Sequence, residues 1–202
     1  MQRIANPSSA ITRYADIGGV VEFAVYDDAD GDPDAVFAAV CDAAPIENPE
    51  ALRAIGFRRL DDASFYGDWY ELATHSLLLI GTWGGIERPL VNPKLRDLDD
   101  HRLAGGGLIP EAGAGGQFAY AFSHPPYGLQ AKPREIQDLF DKIRHAILPA
   151  AVDHEILDWS SPDLPMASSY FEPGMEWWGV FLFSIYVPEH RRLSIVWAST
   201  TD

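Results

Sequence analysis

The stretch GVFLFSIYV, residues 179–187, constrains the fold more than any other. Side chains along a strand point alternately to opposite faces of a sheet. Here both alternate sets are apolar, so the segment predicts a central strand and not an edge. PEHRR then makes a turn, and LSIVWA (193–198) sets Leu193, Ile195 and Trp197 against Ser194, Val196 and Ala198. Together they predict a C-terminal β-hairpin inside a sheet.

The rest of the chain must pair with that hairpin or cover it. GVVEFAVY (19–26) predicts a strand with Val21, Phe23 and Val25 on one face. A helix follows from Pro33 to about Ala44, with Asp32 as N-cap and Pro33 at the first helical position. A shorter helix runs from Pro49 to Ile55 between Asn48 and Gly56. FRRL (57–60) and HEILDW (154–159) predict strands, as do two segments within residues 64–83. QFAYAFS (117–123) alternates bulky aromatics with alanine and also predicts a strand. From Pro133 to Leu148 the stripe Ile136, Leu139, Phe140, Ile143 and Ile147 predicts a helix. Residues 1–18 read as an N-terminal arm. Residues 84–116, rich in glycine and proline, read as a long irregular loop. The expected fold is one α+β domain over 1–202. Its mainly antiparallel sheet carries two or three packed helices and ends in the hairpin.

Thirty acids against fifteen bases give a formal net charge of −15. Such a field repels nucleic acid and anionic membranes and favours basic or neutral partners. The acids are uneven. Residues 1–87 hold fifteen acids and five bases, and Asp27 to Glu50 holds eight acids and no base. One cysteine, Cys41, cannot close an internal disulfide, and no stretch has the length and apolarity of a signal peptide or a membrane span. The chain reads as cytoplasmic.

The acidic stretch YDDADGDPDAVF (26–37) has the look of a calcium loop. With Gly31 at the sixth position, however, Tyr26 and Phe37 take the first and twelfth, where ligands are required. It reads as a turn from strand to helix. The six histidines include no pair three or four residues apart, no CxxC exists, and GGGLIPEAGAGG (105–116) lacks a phosphate-binding register. HEILD (154–158) has Asp158 where a second zinc-ligating histidine would stand. Catalytic, metal and cofactor residues are therefore expected to be none.

Two surfaces are candidates for partner binding. One is the acidic set Asp27, Asp28, Asp30 and Asp34, which would steer a basic protein. The other is the aromatic loop WSSPDLPMASSYFEPGMEWWG (159–179), with Trp159, Tyr170, Phe171, Trp177 and Trp178. In size, acidity, α+β make-up and lack of a catalytic motif, the chain resembles the small acidic bacterial immunity proteins. That resemblance implies a non-catalytic, inhibitory module for a basic protein partner. Two other readings compete with it. One is a small-molecule binder or enzyme with a pocket under the 84–116 loop. The other is an oligomerising module with the C-terminal hairpin at a subunit interface.

Overall fold

In the computed structural model, which describes residues 1–5, 7–84, 89–99, 117–149 and 153–201, the C-terminal hairpin lies at the centre of a sheet. In chain order the elements begin with β1 (Gln2–Arg3), α1 (Ser9–Asp16), β2 (Glu22–Asp27), α2 (Pro33–Ala43), α3 (Pro49–Ile55), β3 (Arg58–Leu60) and α4 (Asp62–Tyr66). Four two-residue strands follow: β4 (Tyr70–Glu71), β5 (Ser76–Leu77), β6 (Thr82–Trp83) and β7 (Leu90–Val91). The chain continues with α5 (Phe118–Ser123), α6 (Pro133–Ile147), β8 (Glu155–Asp158), β9 (Val180–Val187) and β10 (Arg192–Ser199). The main sheet has six strands in the order β1-β2-β10-β9-β8-β3, and every pairing is antiparallel. The fold is α+β. No helix of the described residues is long and apolar enough to cross a membrane.

Both faces of the sheet are covered, which explains the double apolar character of β9. Phe181, Phe183 and Ile185 enter one core with Val196 of β10 and residues of α1, α4, α5 and α6. Val180, Leu182, Leu193, Ile195 and Trp197 enter a second core with α2, α3 and the chain segment after β8. The hairpin's apolar residues are buried within the chain, except Tyr186, which is half-buried.

The caps of α2 and α3 follow the sequence closely. Asp32 Oδ1 accepts from the backbone N–H groups of Asp34 and Ala35, and Asn48 Oδ1 accepts from Ala51 N. Elsewhere the structure departs from expectation. Residues 1–18 are not a free arm. Gln2 and Arg3 pair with β2, and Ser8 caps α1 by accepting from Ala10 N. Tyr14 of α1 is fully buried, and its hydroxyl donates to the Phe122 carbonyl at 2.9 Å. Within 64–83, Asp61 caps a helix where a strand was expected, and Gly67, at φ 71°, ends it.

The largest difference is at 117–123, which is helical. Phe118 to Phe122 are all buried, so no wet face exists to betray the period. Alanine is the best helix former, and the packing decides the conformation. Phe118 and Phe122, one turn apart, both pack against Phe140, the first stacked and the second edge-to-face, while Tyr120 turns the opposite way toward Trp69 and Trp178. A strand would have pointed all three to one side.

Of the expected 84–116 loop, residues 85–88 and 100–116 lie outside the described residues, as does the whole glycine-rich stretch 105–116. Within 89–99, Leu90–Val91 pairs with β6, and a single 3₁₀ turn spans Leu95–Asp97.

Candidate functional sites

The acidic turn joins β2 to α2 and is shaped by close packing. Asp28 has a left-handed backbone, at φ 55°. Gly31, at φ 74°, lies so near the Tyr186 ring that a Cβ would sit 2.3 Å from it. Each predicted acid has a partner in its own chain. Arg192 Nε donates to Asp27 Oδ1 at 3.3 Å, and Arg191 lies 4.0 Å from Asp28. Asp30 Oδ1 accepts from Asp32 N. Arg53 Nη1 donates to Asp34 Oδ1 at 3.2 Å, and its guanidinium lies 4.2 Å from the centre of the Phe37 ring. Further along α2, Asp42 accepts from the buried Tyr26 hydroxyl at 2.7 Å. The carboxylates remain wet nonetheless: the Asp34 and Asp42 side chains are 83% and 62% exposed.

The aromatic loop is corrected more sharply. Trp159, Phe171 and Trp178 are buried and cannot present a docking surface. After β8 the chain makes 3₁₀ turns at Leu164–Met166, Ser169–Phe171 and Pro173–Met175, which roof the second core. Trp159 Nε1 donates to Ser184 Oγ at 3.0 Å, and Trp178 Nε1 donates to the His124 carbonyl at 2.6 Å. Tyr170 and Trp177 are half-buried, with the Tyr170 hydroxyl bound to Glu22 Oε1 at 2.9 Å. Of the large hydrophobic side chains in this loop, Met166 is the exposed one. These aromatics are the lid of a core, because a sheet apolar on both faces needs apolar area above each.

A different cluster, on the opposite sheet face, was not anticipated. Gln137 of α6 pins the β4–β5 hairpin: its Oε1 accepts from Leu77 N at 2.8 Å, and its Nε2 donates to the His75 carbonyl at 3.3 Å and to Asp141 Oδ1 at 3.1 Å. Arg96, from the 3₁₀ turn after β7, donates to the same His75 carbonyl at 2.6 Å. His75 has a left-handed backbone, at φ 50°, and its Nδ1 meets the Tyr70 hydroxyl at 3.2 Å. Across from it, His154 Nε2 lies 2.7 Å from Asp62 Oδ1. A cavity of about 100 Å³ opens beside this network, with Asp62, Tyr66, Tyr70, His75, Arg144 and His154 in its wall, while Arg96, Gln137 and Asp141 line a neighbouring one.

Burial dominates the ionisation here. It pushes Tyr66 and Tyr70 up, so both hydroxyls stay neutral and able to donate. It also pushes the Asp141 carboxyl up, against the pull of Arg144 and Arg96. The side chains come from positions 62, 66, 70, 75, 96, 137, 141, 144 and 154, so no spacing rule brings them together. Cys41 is half-buried on α2, and burial pushes its thiol up, away from the thiolate a nucleophile needs. Among the described residues, no group of three or more His, Cys, Asp and Glu side chains could hold a metal ion. No protein-family model matches the chain, and no curated protein or solved structure is significantly similar to it.

Proposed function

We propose that this chain is a non-catalytic binding protein whose acidic flank, from Asp27 to Glu50, docks a basic protein partner as an inhibitory or immunity-type module does. The observation that carries the reading is the outer side of α2. Asp34, Ala38 and Asp42 are all exposed and recur every four residues, so they form one stripe about 12 Å long with an acid at each end. The arginines that meet these acids are no obstacle. Arg53 and Arg191 are themselves about 60% exposed, and ion pairs of this kind are worth about 0–1 kcal/mol. A partner with a preorganised cationic surface can displace them, and the net charge of −15 would speed its encounter.

The test is capture of basic proteins from cells of the source organism on immobilised protein, followed by titration of whatever is retained. The wild type is compared with a variant carrying Asp28→Asn, Asp30→Asn and Asp34→Asn. Raising salt from about 0.1 to about 1 M shortens the Debye length from about 10 to about 3 Å and should release the partner. The triple variant should bind at least about tenfold more weakly, mainly through a slower association. Affinity indifferent to both salt and the three substitutions would remove this reading.

A further inference from the structure

We infer that the cavity between α6 and the β4–β5 hairpin is a binding site for a small molecule bearing a single carboxylate. The argument starts from Arg144. Its Nε is buried and, among the described residues, has no hydrogen-bond partner. Nor does Arg144 form an ion pair with any of them. Burying part of a guanidinium without an acceptor is costly, and in folded proteins such a group is met by a carboxylate, a phosphate or ordered water. The Nε of Arg96, which lines a neighbouring cavity, is also buried and without a partner among the described residues, so Arg144 is the arginine of this site.

The surroundings select among those acceptors. Arg144 presents a planar fork suited to two parallel hydrogen bonds with a carboxylate or phosphate. The Tyr66 hydroxyl stands in the same cavity wall and adds a neutral donor beside the fork. Two carboxyl groups are near, and both are engaged: Asp62 with His154 and Asp141 with Gln137. They leave no large surplus of positive charge, so a monoanion is favoured over a dianion such as phosphate. The rest of the wall includes Leu72, Leu148 and Pro149, an apolar side that suits a short hydrocarbon stem. The volume of about 100 Å³ limits the ligand to a few heavy atoms, since one water occupies about 30 Å³ of liquid. His75 adds an independent sign: a non-glycine residue held at φ 50° on the cavity rim is the kind of backbone outlier that collects at ligand sites. The site lies on the sheet face opposite α2, so it stands whether or not the acidic flank binds a protein.

Acetate, propionate and inorganic phosphate, each against chloride at equal ionic strength, are the probes. The readouts are isothermal titration and thermal unfolding of the full chain. Acetate and propionate should give a saturable heat and raise Tm above the chloride control, with propionate the tighter. Arg144→Gln should abolish the heat, Arg144→Lys should weaken binding at least about tenfold by losing the fork, and Tyr66→Phe should weaken it by about three- to tenfold. Lys142→Gln, on another side of α6, should bind as the wild type does. Circular dichroism identifies any variant that fails to fold, and Tyr66→Phe, which removes one oxygen, then carries the test. No saturable response to any probe, or binding retained in both Arg144→Gln and Tyr66→Phe, overturns the proposal and assigns the orphan nitrogen to water. Phosphate binding more tightly than both carboxylates overturns the carboxylate assignment.

Discussion

His124 makes the stability of this protein depend on acid in a calculable way. Its ring stacks on Tyr120 at 5.5 Å between centroids, and its Nδ1 lies 2.7 Å from Ser123 Oγ. Burial lowers its pKa from 6.5 to about 4. The unfolded chain therefore takes up a proton near pH 6.5 that the folded chain refuses until about pH 4. Stability is unaffected above this window and falls as pH drops through it. At about 1.4 kcal/mol per pH unit the whole window is worth about 3 kcal/mol, of which about 2 develops between about pH 7 and about pH 5. Part of the residue is open to solvent, so about 1–2 kcal/mol is the expected reading. The assay is urea unfolding followed by tryptophan fluorescence at both pH values, for the wild type and His124→Phe. Phenylalanine keeps the stack but cannot take the proton. It also leaves in place the backbone carbonyl that accepts from Trp178. The wild type should lose about 1–2 kcal/mol more than the variant over this interval. Equal losses would show that His124 titrates normally and that the burial argument is wrong.

Two further substitutions test the packing around the candidate sites. Gly31→Ala should cost about 1–3 kcal/mol, because φ is 74° there and the Tyr186 ring occupies the space of a Cβ; a variant as stable as the wild type in urea would refute the close approach. Trp178→Ala should cost about 3–5 kcal/mol, since the indole is fully buried and its N–H is bonded to the His124 carbonyl; a loss under about 1 kcal/mol would instead place Trp178 on the surface as a docking residue.

Local chemistry made several elements readable without tertiary information. Asp32 with Pro33, and Asn48 with Pro49 and Gly56, define α2 and α3 because capping acts within three or four residues. The apolar stripe of α6 and the two-faced hairpin of β9 and β10 were equally plain, since a periodic face states what it will bury. The signals for α1 and α4 were also local. Ser8 and Asp61 are ordinary N-caps, and Gly67 ends α4, yet short helices are easily outweighed by neighbouring aromatics that suit strands.

What the sequence by itself determined, then, is an acidic α+β chain built on a central antiparallel hairpin, with an acidic turn that ends in the Asp32 cap of α2. Only the tertiary structure decided that 117–123 is a helix, because a segment buried on every side has no solvent face to mark its period. It decided likewise that Trp159 and Phe171 close the second core and Trp178 enters the first, since aromatic loops that bind and aromatic loops that cover share one composition. It alone brought Tyr66, His75 and Arg144 to one cavity, through α6 packing on a hairpin some sixty residues earlier in the chain. Capping and periodicity act over a few residues and are written locally. Convergence of side chains depends on how whole elements pack, and no short window of the sequence holds it.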